Sequence, residues 1–120
     1  MKGANAERVP GEAAEAAIGR LREMSADLRG CALLGTDGQI LAATGDRDRW
    51  SAPAADLLAA ADDAGGEPAA HVHVATEDGE AFAVREDGLA MVAVTERFTL
   101  ASLMIFDMRA VLRDLAREPG

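Results

Sequence analysis

The chain has 120 residues, 49% of them hydrophobic and 28% charged, which suits one cored globular domain and is too short for two. Its formal net charge is −9, from 21 acidic and 12 basic side chains, and its aromatics are one Trp and three Phe. Such a surface repels phosphate backbones and has little to stack bases on, which argues against nucleic acid as a partner.

The single cysteine, Cys31, has no partner for an internal disulfide, as suits a reducing cytosol. The opening MKGANAERVPGEAAEA lacks the apolar run of a secretory signal. The longest apolar runs, LAMVAV and LASLMIF, fall far short of the ~18 residues a membrane span needs. A soluble cytoplasmic protein with no membrane insertion is expected. One lysine against eleven arginines, with abundant Ala and Gly, suggests a GC-rich bacterial genome.

Along the chain, 1–11 reads as a flexible lead-in ending at Pro10-Gly11, and 12–117 as a single domain. From Glu12 to Leu28, Ala14, Ala17, Ile18, Leu21, Met24 and Leu28 recur at helical spacing, and Gly30 stands where a left-handed cap stops a helix. CALLGTD, a turn at Asp37-Gly38, and QILAATG form a hairpin. After the polar GDRDRW, Ser51 is the expected N-cap of a second helix, APAADLLAAADDA, with Pro53 in its first turn and Gly65-Gly66 as its stop. Three strands follow, AHVHVAT, EAFAVRE and LAMVAVT, joined by turns at Glu77-Asp78-Gly79 and Asp87-Gly88. TERFTLASLMIFDMRAVLRDL closes the chain as a third helix, with Thr99 as its expected N-cap and Arg109, Arg113 and Arg117 toward its negative end. The order α-β-β-α-β-β-β-α with consecutive hairpins predicts an α+β domain on an antiparallel sheet.

The strands differ in patterning. CALL, QILAA and LAMVAV are apolar on both faces and read as covered above and below. AHVHVAT alternates, with Val72 and Val74 on one face and His71, His73 and Ala75 on the other, so the third strand reads as an edge that needs blunting or a partner.

Little here points to chemistry. There is no P-loop and no GxGxxG after a strand. His71-x-His73 has a spacing that metal sites use, but a site needs a third ligand and no further His or Cys is in sequence reach. Cys31 opens a central strand among Ala32, Leu33 and Leu34, where a thiol is a small core hydrophobe. Asp46, Asp48, Asp62, Asp63, Asp78 and Asp87 sit in loops and turns with no apolar surround to raise a carboxyl pKa. No catalytic residue, cofactor or metal is expected, and the protein reads as a non-enzyme. Two features resemble contact surfaces instead. The second helix carries Leu57 and Leu58 among seven alanines, more small residues than one covered face uses, although ordinary helix propensity explains them as well. Trp50, just before Ser51, is either a hydrophobic staple onto that helix or an interface anchor.

GCALLGTDGQILAATG, the Ala-rich helix, EDGEAFAVREDGLAMVAVTER and the helix opening FTLASLMIFDMRAVL together resemble the roadblock (dynein light chain) domain family, in particular its bacterial MglB-type members, over roughly 12–116. The resemblance implies a five-stranded antiparallel sheet in the order 2-1-5-4-3, helices one and three on one face and helix two on the other. It implies a homodimer formed through strand three and helix two, so the candidate dimer or partner interface is Trp50, Ala54, Leu57, Leu58, Ala61, His71 and His73. It implies no catalytic residues, and a role in binding, regulating or scaffolding a small Ras-like GTPase. No obvious arginine finger is present, although Arg47 and Arg49 in the loop before helix two are exposed candidates. The closing helix departs from bacterial members in opening on the bulky TLASLMIF where a small, Gly-containing stretch is common. Its expected inward residues are Leu103, Met104, Val111 and Leu115, beside Ile18 and Leu21. The alternative function is a small-molecule sensor, since related α+β sheets hold ligands and His71 and His73 would line a pocket.

Overall fold

The structure is a computed structural model that describes residues 11–65, 70–97 and 99–117. Of the expected lead-in, 1–10 lie outside the described residues, and Gly11 opens the first helix. In chain order the elements are α1 (Gly11–Met24), β1 (Leu28–Leu34), β2 (Ile40–Ala43), α2 (Asp48–Gly65), β3 (His71–Ala75), β4 (Glu80–Glu86), β5 (Leu89–Thr95) and α3 (Ala101–Arg117). The five strands form one antiparallel sheet in the order β2-β1-β5-β4-β3. The element order, the sheet order and the helix layers are those expected.

Period-2 alternation splits the strands between two cores. Cys31, Leu33, Phe82, Val84, Leu89, Met91 and Ala93 point to one face, where α1 contributes Ala14, Ala17, Ile18 and Leu21, and α3 contributes Met104, Met108, Val111, Leu112 and Leu115. The intervening Ala32, Leu34, Ala83, Ala90 and Val92 point to the other face, onto Ala54 of α2. Each fully buried Leu, Phe or Met on the first face is worth about 1.5–3 kcal/mol, so most of the stability resides there. The α2 face is a thin layer built largely of alanine.

Turns follow their dipeptides. Glu86 pairs directly with Leu89, leaving Asp87 (φ 53°) and Gly88 (φ 83°) as a two-residue loop with both residues left-handed, the type I′ geometry that matches strand twist. The β1–β2 turn is longer: Gly38 N–H donates to the Gly35 carbonyl at 3.0 Å and Gly35 N–H to the Gln39 carbonyl at 2.8 Å, with Gly38 at φ 85°. The Asp37 carboxylate accepts the Gln39 N–H at 2.9 Å.

Several boundaries differ from expectation. The first helix stops at Met24, and Gly30 lies inside β1 rather than capping a helix. Gly30 is instead a close-approach glycine: a Cβ there would stand 2.9 Å from Thr44 Oγ1 and 3.1 Å from Trp50 Cζ2. Helix α2 begins at Asp48, not after Ser51, because the Asp46 carboxylate accepts the Asp48 N–H at 3.0 Å and supplies the cap earlier. Trp50 and Pro53 are therefore inside the helix. Thr99 does not cap α3: its hydroxyl donates to the Glu96 carbonyl at 2.8 Å. Leu103, expected inward, is 53% exposed, because the seam Met104, Met108, Val111, Leu115 runs one residue, about 100° of helix, away from it.

Ion pairs tie the layers at their margins. Arg20 of α1 meets Asp114 of α3 at 2.9 Å, and Arg109 and Arg113 of α3 both reach Glu86 at the end of β4, at 3.2 and 3.3 Å. The last pair of contacts uses the arginines at the helix's negative half to hold it down on the sheet.

Candidate interaction surface

β3 is the outermost strand and, among the described residues, pairs only with β4, in the register His71↔Val84, Val72↔Ala83, His73↔Phe82, Val74↔Ala81 and Ala75↔Glu80. Its other edge presents backbone groups to whatever lies beside it. The β3–β4 connection is fixed locally. Thr76 donates to the Gly79 carbonyl through both its N–H, at 2.8 Å, and its hydroxyl, at 2.7 Å. A Cβ on Gly79 would run into the Thr95 carbonyl, so only glycine lets β4 start this close to β5.

The two histidines share a strand and a face but not an environment. His71 is exposed. The His73 ring lies on Phe82, with centroids 4.5 Å apart, and its Nε2 is 2.5 Å from Glu80 Oε1, a carboxylate whose residue is only 7% exposed. Sequence reasoning missed Glu80, because its place opposite Ala75 depends on the hairpin register. Among the described residues no group of three His, Cys, Asp or Glu side chains stands close enough to hold a metal ion.

On α2, Ala54 is fully buried against its own sheet, and Trp50, Leu57 and Leu58 are half-buried on the same thin core. Trp50 Nε1 donates to the Thr44 carbonyl at 2.9 Å, so its ring spans from α2 across to the β1–β2 edge. Ala61 lies on α2, with its side chain outside the described set. The outward face of the helix is alanine-rich, with Ala52, Ala55, Ala59 and Ala60 exposed beside the exposed Asp56 and Asp63. Val72 of β3 packs on the same core as Leu57 and Leu58, whereas His71 and His73 turn to the other face, opposite Val84 and Phe82. Arg85 of β4 grips Asp62 of α2 through two bonds, at 2.6 and 2.9 Å, and fixes the helix near its C-terminal end.

A cleft of about 400 Å³ lies at the turn end of the sheet between Gly35, Leu58, Arg85, Gly88 and neighbouring residues. That volume lies within the range of ligand pockets, but two of its three charged side chains are engaged elsewhere, Arg85 with Asp62 and Glu86 with Arg109 and Arg113, and the third, Asp87, forms the β4–β5 turn. Cys31 is fully buried, and burial pushes its thiol up to about 11, with Arg22 offsetting this slightly, so it is a packing group and not a nucleophile. No helix among the described residues is long and apolar enough to cross a membrane.

No protein-family model matches the sequence, and no curated protein matches it. Solved structures do match in shape. A roadblock/LC7 domain from Streptomyces avermitilis superposes with a TM-score of 0.71 at 19% identity, covering 82% of this chain and 91% of that one. MglB of Myxococcus xanthus gives 0.68 at 16% identity, covering 85% and 90%. A chain of the LokiProfilin2–rabbit actin complex gives 0.62 at 15% identity, covering 88% and 96%. Shape and strand order agree while the sequences have diverged: the chain has the roadblock/LC7 fold.

Proposed function

We propose that the protein is a non-catalytic, homodimeric regulator or scaffold whose partner is a small Ras-like GTPase. The observation that carries the self-association is the free edge of β3 beside an exposed alanine face on α2. Strand pairing satisfies edge backbone groups, and alanine lets two helices approach closely, so one two-fold contact covers both features. Trp50, Leu57 and Leu58 lie on the α2 side of that contact, and His71 and His73 on the opposite face of the edge strand. The GTPase partner rests on the resemblance to roadblock proteins, MglB in particular.

A rigid platform of this kind regulates a GTPase by binding its switch loops, which rearrange with the γ-phosphate, so the two nucleotide states bind with different affinity. Arg47 already donates to the Leu41 carbonyl at 3.2 Å, which holds it against its own chain. Any effect on hydrolysis then comes from reshaping the GTPase, and Arg47→Ala or Arg49→Ala changes the rate far less than the ~10³-fold lost with an arginine finger. The test is titration of the protein against Ras-like GTPases of its own cell, each loaded with GDP or a GTP analogue. Preference for one state supports a regulator, equal affinity for both leaves only the scaffold role, and no binding removes the reading.

A further inference from the structure

On the sheet face opposite α2, a groove runs between the turn after α1 and the first turns of α3. It encloses about 140 Å³ and is lined by Met24, Asp27, Leu100, Leu103, Met104 and Asp107, among others. This is room for one long side chain rather than for a small-molecule ligand, whose pockets hold ~300–1,000 Å³. Its rim is apolar and unusually open: Met24 is 44% exposed, Leu100 65% and Leu103 53%, and Phe106, one turn beyond Leu103 on α3, is 68% exposed. These are four of the five large hydrophobic side chains that stand out from the described surface. Leu103 and Phe106 stand three residues apart and form a ridge along the helix.

The floor of the groove is as unusual as its rim. Asp107 is only 8% exposed, and among the described residues no side chain or backbone group makes a hydrogen bond or ion pair with its carboxylate. The other ionisable side chain lining the groove, Asp27, is also acidic. Two arginines of the helices that bound the groove are used elsewhere: Arg20 pairs with Asp114, and Arg109 with Glu86. Its oxygens still reach solvent at the groove, since no side-chain oxygen or nitrogen among the described residues is both buried and without a hydrogen-bond partner, but partial burial pushes its pKa up and leaves the carboxylate open to an incoming cation.

We propose that this groove docks an amphipathic helix of another protein, whose apolar side chains cover Met24, Leu100, Leu103 and Phe106 and whose arginine or lysine enters to meet Asp107. Charge selects this occupant over a second copy of the chain, since a net charge of −9 makes a like copy a poor source of the missing cation. The surface lies apart from the proposed α2–β3 contact, so a dimer engages one such helix per protomer without disturbing its two-fold interface.

The test uses synthetic amphipathic helices of about 15 residues, built from Leu, Ala and Gln with a central Arg in several registers, each paired with a citrulline counterpart. Binding to the full chain is followed by amide chemical shifts. Expected are shifts confined to residues 24–28 and 99–107, and an affinity lower by roughly tenfold or more for the citrulline peptide. Asp107→Asn abolishes that difference, and Leu103→Ser, at an exposed position, weakens both peptides with the fold unchanged. The proposal is overturned if no register binds at millimolar peptide, if arginine and citrulline bind wild type equally, or if Leu103→Ser lowers the mass by light scattering, which would make the occupant a second copy. The GTPase titration reads a preference between nucleotide states and the peptide series reads the arginine–citrulline difference, so this inference and the proposed function fail separately.

Discussion

His73 lies flat on Phe82, the rings 6° from parallel and 4.5 Å apart, directly across the β3–β4 pair. Phe82 is fully buried, so the imidazole acts as the lid of the main core at the outer strand. The same ring gives Glu80 its hydrogen-bonding partner. A histidine that reads in sequence as a possible ligand is here a structural cover.

The two histidines should therefore differ under mutation. His73→Ala uncovers Phe82 and leaves a nearly buried carboxylate alone, and is expected to cost about 1–3 kcal/mol. His71→Ala, at an exposed position, should stay within about 0.5 kcal/mol of wild type. Urea denaturation of the two variants decides it; equal costs would mean that the stack and the carboxylate contact carry nothing.

The thiol of Cys31 supplies a pH dependence whose sign is fixed. Its ordinary value is 9.0 and burial raises it to about 11 in the folded chain. The neutral form is thus favoured by folding, and nothing is gained or lost below pH 9. Between the two values the unfolded chain releases its proton first, so stability falls as pH rises, by at most roughly 2–3 kcal/mol. Cys31→Ala should remove that share of the alkaline decline. Native Cys31 should also resist alkylation at pH 8 until denaturant is added, and rapid labelling of the folded protein would contradict its burial.

Gly30 and Trp50 form the tightest approach on the α2 side. Gly30→Ala places a methyl 2.9 Å from Thr44 Oγ1 and 3.1 Å from the Trp50 ring, with both neighbours held, Thr44 Oγ1 by the Cys31 N–H and Trp50 by the Thr44 carbonyl. The expected loss is about 1–3 kcal/mol. Trp50 is the one tryptophan of the chain, so its emission should shift to the red as the ring is displaced. An unshifted spectrum with unchanged stability would mean that the strand moves aside freely.

What the sequence made legible follows from local rules. Asp87-Gly88 specifies its hairpin through two left-handed residues, and the alternation in LAMVAVT separates the two cores. The alternating AHVHVAT places β3 at the edge. What was not legible depends on long-range placement. Gly30 reads as a helix cap until Trp50, twenty residues on, is folded over it. Leu103 reads as core because TLASLMIF is apolar all round, and only the docking of α1 decides which stripe faces in. Asp107 gave no signal at all, since burial of one carboxylate within a helix depends on the turn packed beside it.

The proposed dimer is tested most cleanly at Ala59, which is exposed on the outward face of α2. Leu58→Asp is a poorer probe, because Leu58 also packs on the chain's own thin core and its loss would weaken the monomer. An arginine at position 59 is solvated in an isolated protomer and keeps helix propensity, so denaturation of the monomer should change by less than about 0.5 kcal/mol. In a two-fold helix contact the same substitution forces two long, like-charged side chains into a closely packed seam, which the exposed Asp56 and Asp63 beside them offset only in part, at a cost of about 2 kcal/mol or more, or roughly thirtyfold in dissociation constant. Wild type is expected to give the dimer mass by light scattering at micromolar concentration, and Ala59→Arg the monomer mass. A monomeric wild type would remove the dimer altogether. A dimer that survives Ala59→Arg unchanged would place the contact on the β3 edge alone, and α2 would then owe its alanines to helix propensity.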